Sequence, residues 1–209
     1  MIQTDQSKGI INNFEVEKLN KKMKTKLLSL IAVLCVSLIA SAMTEPIPVK
    51  PSDSKIAWKG YKVTGSHEGV ITLKSGDLSF DEKVLTGGSF TIDMKTIFCT
   101  DLKGESKGKL EGHLKSDDFF AVEKFPEATL VFTSVKGTGS YYDIVADLTV
   151  KGNTKSIQFN MTVTEDKAYA RLRLDRSEFD VKYGSNSFFE NLADRAIYDD
   201  FDLDVMLSF

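Results

Sequence analysis

The sequence predicts an all-β protein of about eight antiparallel strands, closed into a barrel or folded into a sandwich and interrupted once by a short helix. Three observations predict it. From residue 54 onward, apolar and polar residues alternate with the period of two that a half-buried strand requires. The breaks between alternating runs are short and made of Gly, Asn, Asp, Thr and Ser, the residues of tight turns. One stretch, Leu110 to Ala128, abandons the period: Leu110 and Leu114 lie one helical turn apart, and Pro126 bars a helix from continuing.

The chain's 209 residues divide unevenly. Residues 1–22 are polar and patternless, and Met23 reads as the true start, leaving residues 1–22 as a misassigned upstream extension. Residues 23–42 have the three parts of a signal peptide: basic Met23-Lys24-Thr25-Lys26, an apolar run from Leu27 to Ile39, and small residues Ala40-Ser41-Ala42 for cleavage after Ala42. The apolar run falls short of the roughly 20 residues a bilayer span takes, so no stable membrane span is expected after cleavage. Residues 43–53, with Pro46, Pro48 and Pro51, read as a linker, and 54–209 as the domain. Residues 1–42 hold six lysines and three acidic side chains, so their removal takes the net charge from −3 to −6. An acidic domain with no basic stripe is poorly suited to nucleic acid or anionic membranes. Cys99 alone remains of the two cysteines, so the domain must stand on its core without an internal disulfide.

In chain order, Lys55 to Val63 reads as a strand with Ile56 and Trp58 on one face, and His67 to Leu73 as a second. Gly76-Asp77 reads as a turn into Leu78 and Phe80. Val84 to Met94 aligns Phe90, Ile92 and Met94, with Gly87-Gly88 as a bend or bulge. Thr96 to Pro126 is the non-strand segment, with the helical excursion around 107–120. Strands resume at Thr129 to Val135, then at Tyr142 to Val150, which holds Tyr142, Ile144, Ala146 and Leu148 on one face. Lys151-Gly152-Asn153-Thr154 is a hairpin turn. Ile157, Phe159, Met161 and Val163 follow, then Ala170, Leu172 and Leu174 opposite Tyr169, Arg171 and Arg173. Phe201, Leu203, Val205, Leu207 and Phe209 close the chain.

Catalytic and metal motifs are missing from this pattern. His67, Cys99 and His113 show no paired ligand spacing, and no nucleophile elbow is present. Gly104 to Lys109 lacks phosphate-loop spacing. His113 and Asp117 stand four apart, which on a helix would permit an acid–base pair; fixing the helix to the barrel is the simpler role. Arg173 and Arg176 are ordinary exposed arginines or the cap of a cavity. Phe188 and Phe189 are buried against a barrel end or form a lid.

Four runs together resemble the YceI-like family of periplasmic polyisoprenoid-binding proteins. They are Trp58 with Glu68-Gly69-Val70 and Ser75 to Phe80; Gly112 to Phe120 with Phe125-Pro126; Asp147 to Lys155; and Asp175-Arg176-Ser177-Glu178-Phe179. Asp180 departs from the family pattern, which has Gly there, and the loops 101–108 and 183–194 are distinctive. The resemblance implies an eight-stranded, lipocalin-like antiparallel barrel, exported to the periplasm or secreted. It implies an apolar tunnel that carries or sequesters a long-chain isoprenoid lipid of the polyprenyl quinone or polyprenyl phosphate type, without catalysis or cofactor. On that reading Trp58, Phe90, Ile92, Phe132, Ile144, Leu148, Phe159 and Met161 line the tunnel. His113, Phe119 and Phe120 close one end, and Arg173 or Arg176 meets a polar head. Two alternatives stay open: a structural or protein-interaction barrel with a solid core, and a hydrolase acting on a bound lipid or amide through His113 and Asp117. The sequence leaves homodimerisation open.

Overall fold

The structure, a computed structural model, describes residues 45–209 together with Lys18 and Lys21, which are helical and exposed. The proposed signal peptide therefore lies outside the described residues. Among the described residues, nine strands form one sheet: β1 (Ile47–Pro48), β2 (Lys55–Lys62), β3 (Gly65–Asp81), β4 (Val84–Cys99), β5 (Glu127–Thr138), β6 (Tyr141–Val150), β7 (Asn153–Val163), β8 (Lys167–Asp175) and β9 (Ile197–Ser208). Each of β2 to β9 pairs antiparallel with its neighbours in sequence, and β9 returns to pair with β2. The result is an eight-stranded up-and-down barrel, which leaves no long open edge. Two-residue β1 merely adds to β3.

The alternation read from sequence decides which side chains enter. Tyr142, Ile144, Ala146 and Leu148 of β6 and Ala168, Ala170, Leu172 and Leu174 of β8 are all buried, while Tyr169, Arg171 and Arg173 face out. Turn chemistry sets the register. Lys151 and Gly152 both take positive φ, 52° and 77°, the two left-handed positions of a type I′ hairpin turn. Within the barrel, pairing is thinnest between β7 and β8, which share only Met161↔Ala170, Thr162↔Tyr169 and Val163↔Ala168.

Three sequence expectations need correction. Gly76-Asp77 is not a turn but the middle of β3: Gly76 pairs with Phe90, whose ring would lie 2.5 Å from a Cβ there. The glycine marks a close approach, not a reversal. The strand before the excursion runs on to Cys99, with its register slipping against β3 between Val70 and Thr72. There Thr96 Oγ1 accepts the Thr72 N–H in place of a backbone carbonyl. The helix α1 is Gly104–Lys115, beginning earlier and ending sooner than expected. Ser116 ends it by donating both its N–H and its hydroxyl to the His113 carbonyl. A tight 116–125 turn follows, held by Phe120 N–H to Leu114 O and Ala121 N–H to Ser116 O. That turn drives Phe119 and Val122 into the barrel end as buried plugs, each side chain contributing about 1.5–3 kcal/mol on full burial.

Candidate functional site

The barrel interior is not packed solid. Beneath α1 and the 116–125 turn lies a cavity of about 160 Å³. Its walls are Ile56, Trp58 and Gly60 of β2, Ile92 and Met94 of β4, Leu148 and Val150 of β6, and Phe201 and Leu203 of β9. Leu114, Phe119, Phe120, Arg176, Phe179 and Val181 close it. A second cavity of about 80 Å³ is lined by Phe90, Leu130, Phe159, Met161 and Leu172. The two share Ile56, Ile92, Leu148, Leu174 and Leu203, so they are neighbours separated by side chains alone. A broader groove of about 570 Å³ lies on the outside among Lys55, Tyr169, Arg171 and Asp204. It is shallow, and Arg171 is already paired with Asp204. The interior is the only one of these that removes apolar surface from water on several sides.

Among the described residues, Arg176 is the one charged group in the interior wall. It is 3% exposed. Its Nε donates to Tyr198 O at 3.1 Å, Nη1 to Val181 O at 2.6 Å and Nη2 to Ile197 O at 3.0 Å. Asp199 Oδ1 lies 3.2 Å from Nη2, and the Phe119 ring stacks 5.4 Å from the guanidinium. Burial pushes the guanidinium below its usual range, and Asp199 and Asp175 oppose that. Arg176 thus ties the 181–198 segment onto the barrel end. Phe179 is buried beside it, and Asp180 takes φ +61° just after. This left-handed position favours glycine and tolerates aspartate, which accounts for the departure at Asp180. Its carboxylate pairs with Lys182 at 2.6 Å.

The remaining residues expected at the site distribute as follows. Trp58, Ile92, Leu148, Phe119, Phe120 and Arg176 line the larger cavity, and Phe90, Phe159 and Met161 the smaller. Phe132 packs between Phe90 and Phe159, at 5.6 and 6.0 Å, without reaching either cavity. Ile144, at 1% exposure, belongs to a densely filled part of the core. Arg173 is on the outer wall, bidentate to Asp202 at 2.8 and 3.1 Å, because it falls on the outward phase of β8. It cannot meet a ligand inside. His113 sits outside the cavity, its ring 5.4 Å from Phe119 and 4.4 Å from Tyr183. Burial pushes its imidazole below the ordinary range; Asp118 opposes this and Arg176 adds to it. The His113–Asp117 pair does not form. The helix has ended before Asp117, whose carboxylate instead accepts from Lys124 Nζ at 2.8 Å.

Phe188 and Phe189, read as either buried or a lid, are half-exposed, with Lys182 Nζ 4.9 Å from the Phe188 ring. His67 and Cys99, scattered in sequence, meet through Asp101, which accepts from His67 Nδ1 at 2.9 Å and from the thiol at 2.8 Å. Burial would raise the Asp101 carboxyl, but those two hydrogen bonds and the Glu68 N–H outweigh it and draw the pKa down to about 2. Sequence reasoning missed much of the wall. Phe201, Leu203 and Leu174 lay on alternating faces already recognised; Gly60, Val181 and Ile197 carried no periodic signal.

Three buried side-chain atoms lack a hydrogen-bond partner among the described residues: Trp58 Nε1, His113 Nε2 and Asp199 Oδ1. An orphaned buried donor costs about 1–3 kcal/mol. Only Trp58 of the first two borders the cavity.

Together these features define a class: a closed up-and-down barrel with an apolar internal cavity capped by a helix and an aromatic turn. The chain belongs to the YceI-like domain family, whose model matches residues 48–209. A UPF0312 protein of Pseudomonas putida is 33% identical over 111 residues, which is 53% of this chain and 54% of that protein. The chain thus spans about half the length of the curated relatives it matches. Among solved structures, BcnA of Burkholderia cenocepacia superposes with a TM-score of 0.62 at 19% identity, over 77% of this chain and 99% of that one. A polyisoprenoid binding domain from Saccharophagus degradans gives a TM-score of 0.54 at 14% identity, over 78% and 98%. At those identities the likeness is one of fold.

Proposed function

We propose that this protein binds a long-chain isoprenoid lipid, its tail lying in the barrel interior and no chemistry being done on it. The observation that carries the reading is the pair of apolar cavities of about 160 and 80 Å³ that share five aliphatic wall residues. Membership of a family with a polyisoprenoid-binding relative supports it. An apolar cavity of about 150 Å³ holds a group the size of benzene, so the larger cavity takes roughly one isoprene unit as it stands. A longer tail enters by swinging Ile56, Ile92, Leu148, Leu174 and Leu203 aside and merging the two. Each five-carbon unit so buried gains on the order of 4 kcal/mol, at about 0.8 kcal/mol per carbon, before ordering costs. The signal-like residues 23–42 support export, with the carrier working in the periplasm or outside the cell.

Native mass spectrometry of the domain purified from its own cells, with solvent extraction of the same sample, tests this. A stoichiometric adduct that matches a polyprenyl lipid in the extract is expected. A protein that stays ligand-free after incubation with such lipids would favour a packed structural barrel.

A further inference from the structure

We infer that Phe132 is the chain-length gauge of this barrel: backing Phe90 and Phe159, it floors the interior, so the protein discriminates by how many isoprene units fit above those rings. The inference rests on the lipid-binding reading and adds to it a limit on the buried tail. On four adjacent strands the cavity wall stops at one level. Leu73 of β3, Phe90 of β4, Leu130 of β5 and Leu148 of β6 line the smaller cavity, and Phe90 pairs with Leu130 and Leu130 with Leu148. Farther toward the β3–β4 and β5–β6 turns, Leu78, Leu85, Ile144 and Tyr142 line neither cavity and are 2% exposed or less. The Tyr142 hydroxyl fastens that end, donating to Gly139 O at 2.9 Å and accepting the Leu85 N–H at 3.2 Å. β7 and β8 carry the wall on to Met161 and Ala170, where buried Val163 and Ala168 follow. A tail that arrives from the α1 end therefore meets a closed floor.

Glycine placement sets the height of that floor. The Phe132 ring lies 5.6 Å from Phe90 and 6.0 Å from Phe159, the two rings that line the smaller cavity. Its Cε2 and Cδ2 are 2.9 and 3.1 Å from where a Gly88 Cβ would stand, and Phe90 Cδ1 is 2.5 Å from where a Gly76 Cβ would stand. A side chain at either glycine would push a ring off the sheet, so the two glycines fix how far the rings reach inward. About 150 Å³ holds a group the size of benzene, so the cavities of about 160 and 80 Å³ take one to two isoprene units as they stand. Four units would need more than twice that space. The Phe132 ring is itself benzene-sized, so removing it frees room for about one unit more.

The test is competition between equimolar pairs of prenols for the purified protein, read by native mass spectrometry: prenol against geraniol, geraniol against farnesol, farnesol against geranylgeraniol. Each unit that is buried should raise affinity about tenfold or more, since apolar transfer exceeds that before ordering costs. The gain should fall below about threefold by the last step, where the added unit stays in water. In Phe132→Ala the break should move up by one unit, so that the first step to flatten in the unaltered protein regains about tenfold. A purely structural Phe132 would lower the melting temperature and leave the break where it was. If Phe132→Ala fails to fold, Phe132→Leu decides, with a gain of about threefold expected at the same step. Equal steps through geranylgeraniol in the unaltered protein, or a break that stays put in a folded variant, would overturn the inference and leave the lipid-binding reading standing. Uptake of none of the four prenols would remove both.

Discussion

Replacing Arg176 with methionine keeps roughly the side chain's length and removes its five N–H groups. The carbonyls of Val181, Ile197 and Tyr198 then lose a buried donor, and Asp199 loses its counter-ion while keeping the Ser185 and Ser187 hydroxyls at 2.8 and 2.6 Å. At about 1 kcal/mol for each carbonyl, plus the cost of an uncompensated carboxylate, Arg176→Met should destabilise the fold by about 3–5 kcal/mol. For a domain of this size that lowers the melting temperature by roughly 10–15 °C. Thermal and urea unfolding followed by Trp58 emission measure it, with an unchanged urea slope showing that the loss is one of stability. Arg173→Met is the control: its ion pair with Asp202 is solvent-exposed, and such pairs contribute little. A loss at Arg176 no larger than at Arg173 would refute the account of Arg176 as the tie holding segment 181–198 to the barrel.

Other consequences follow from the same geometry. Gly60 lines the cavity and a Cβ there meets nothing within 4 Å; Gly60→Val should stabilise the strand by up to about 1 kcal/mol while reducing lipid uptake, as scored by melting and native mass. A variant that loses both would show the space to be needed for folding instead. Gly69→Ala places a Cβ 1.9 Å from the Phe98 carbonyl oxygen and against Trp58, so it should either fail to fold or shift the tryptophan emission; an unaltered spectrum and melting curve would contradict the packing described. His113 has a folded-state pKa below its unfolded value of 6.5. Its neutral form therefore supports the fold above pH 6.5, and that support is lost as the pH falls through the folded value. Stability measured from pH 7.5 to 5 should drop more in the unaltered protein than in His113→Gln.

How much of this was legible beforehand depends on the range of the interaction concerned. Alternation along β6 and β8 is a local property, and it grouped Tyr142, Ile144, Ala146 and Leu148 on the face that is buried and Arg171 on the opposite, outward face. Type I′ chemistry at Lys151-Gly152 is equally local, as is the loss of period that marks α1 and its aromatic turn. Such features depend on one residue and its near neighbours, so composition and spacing determine them. What the tertiary structure alone decided is where distant segments meet. Nothing in Gly76 distinguishes a turn from a site beneath the Phe90 ring, because the ring arrives from another strand. Arg173 and Arg176 look interchangeable in sequence. The end of β8 separates them, leaving one on the outer wall with Asp202 and the other turned inward onto the carbonyls of 181–198. The cavity itself is set by what fails to meet, the space that Gly60, Ile92 and Leu203 leave once the barrel closes through β2 and β9. Closure of that kind is a long-range packing outcome, and no local pattern encodes the volume that remains.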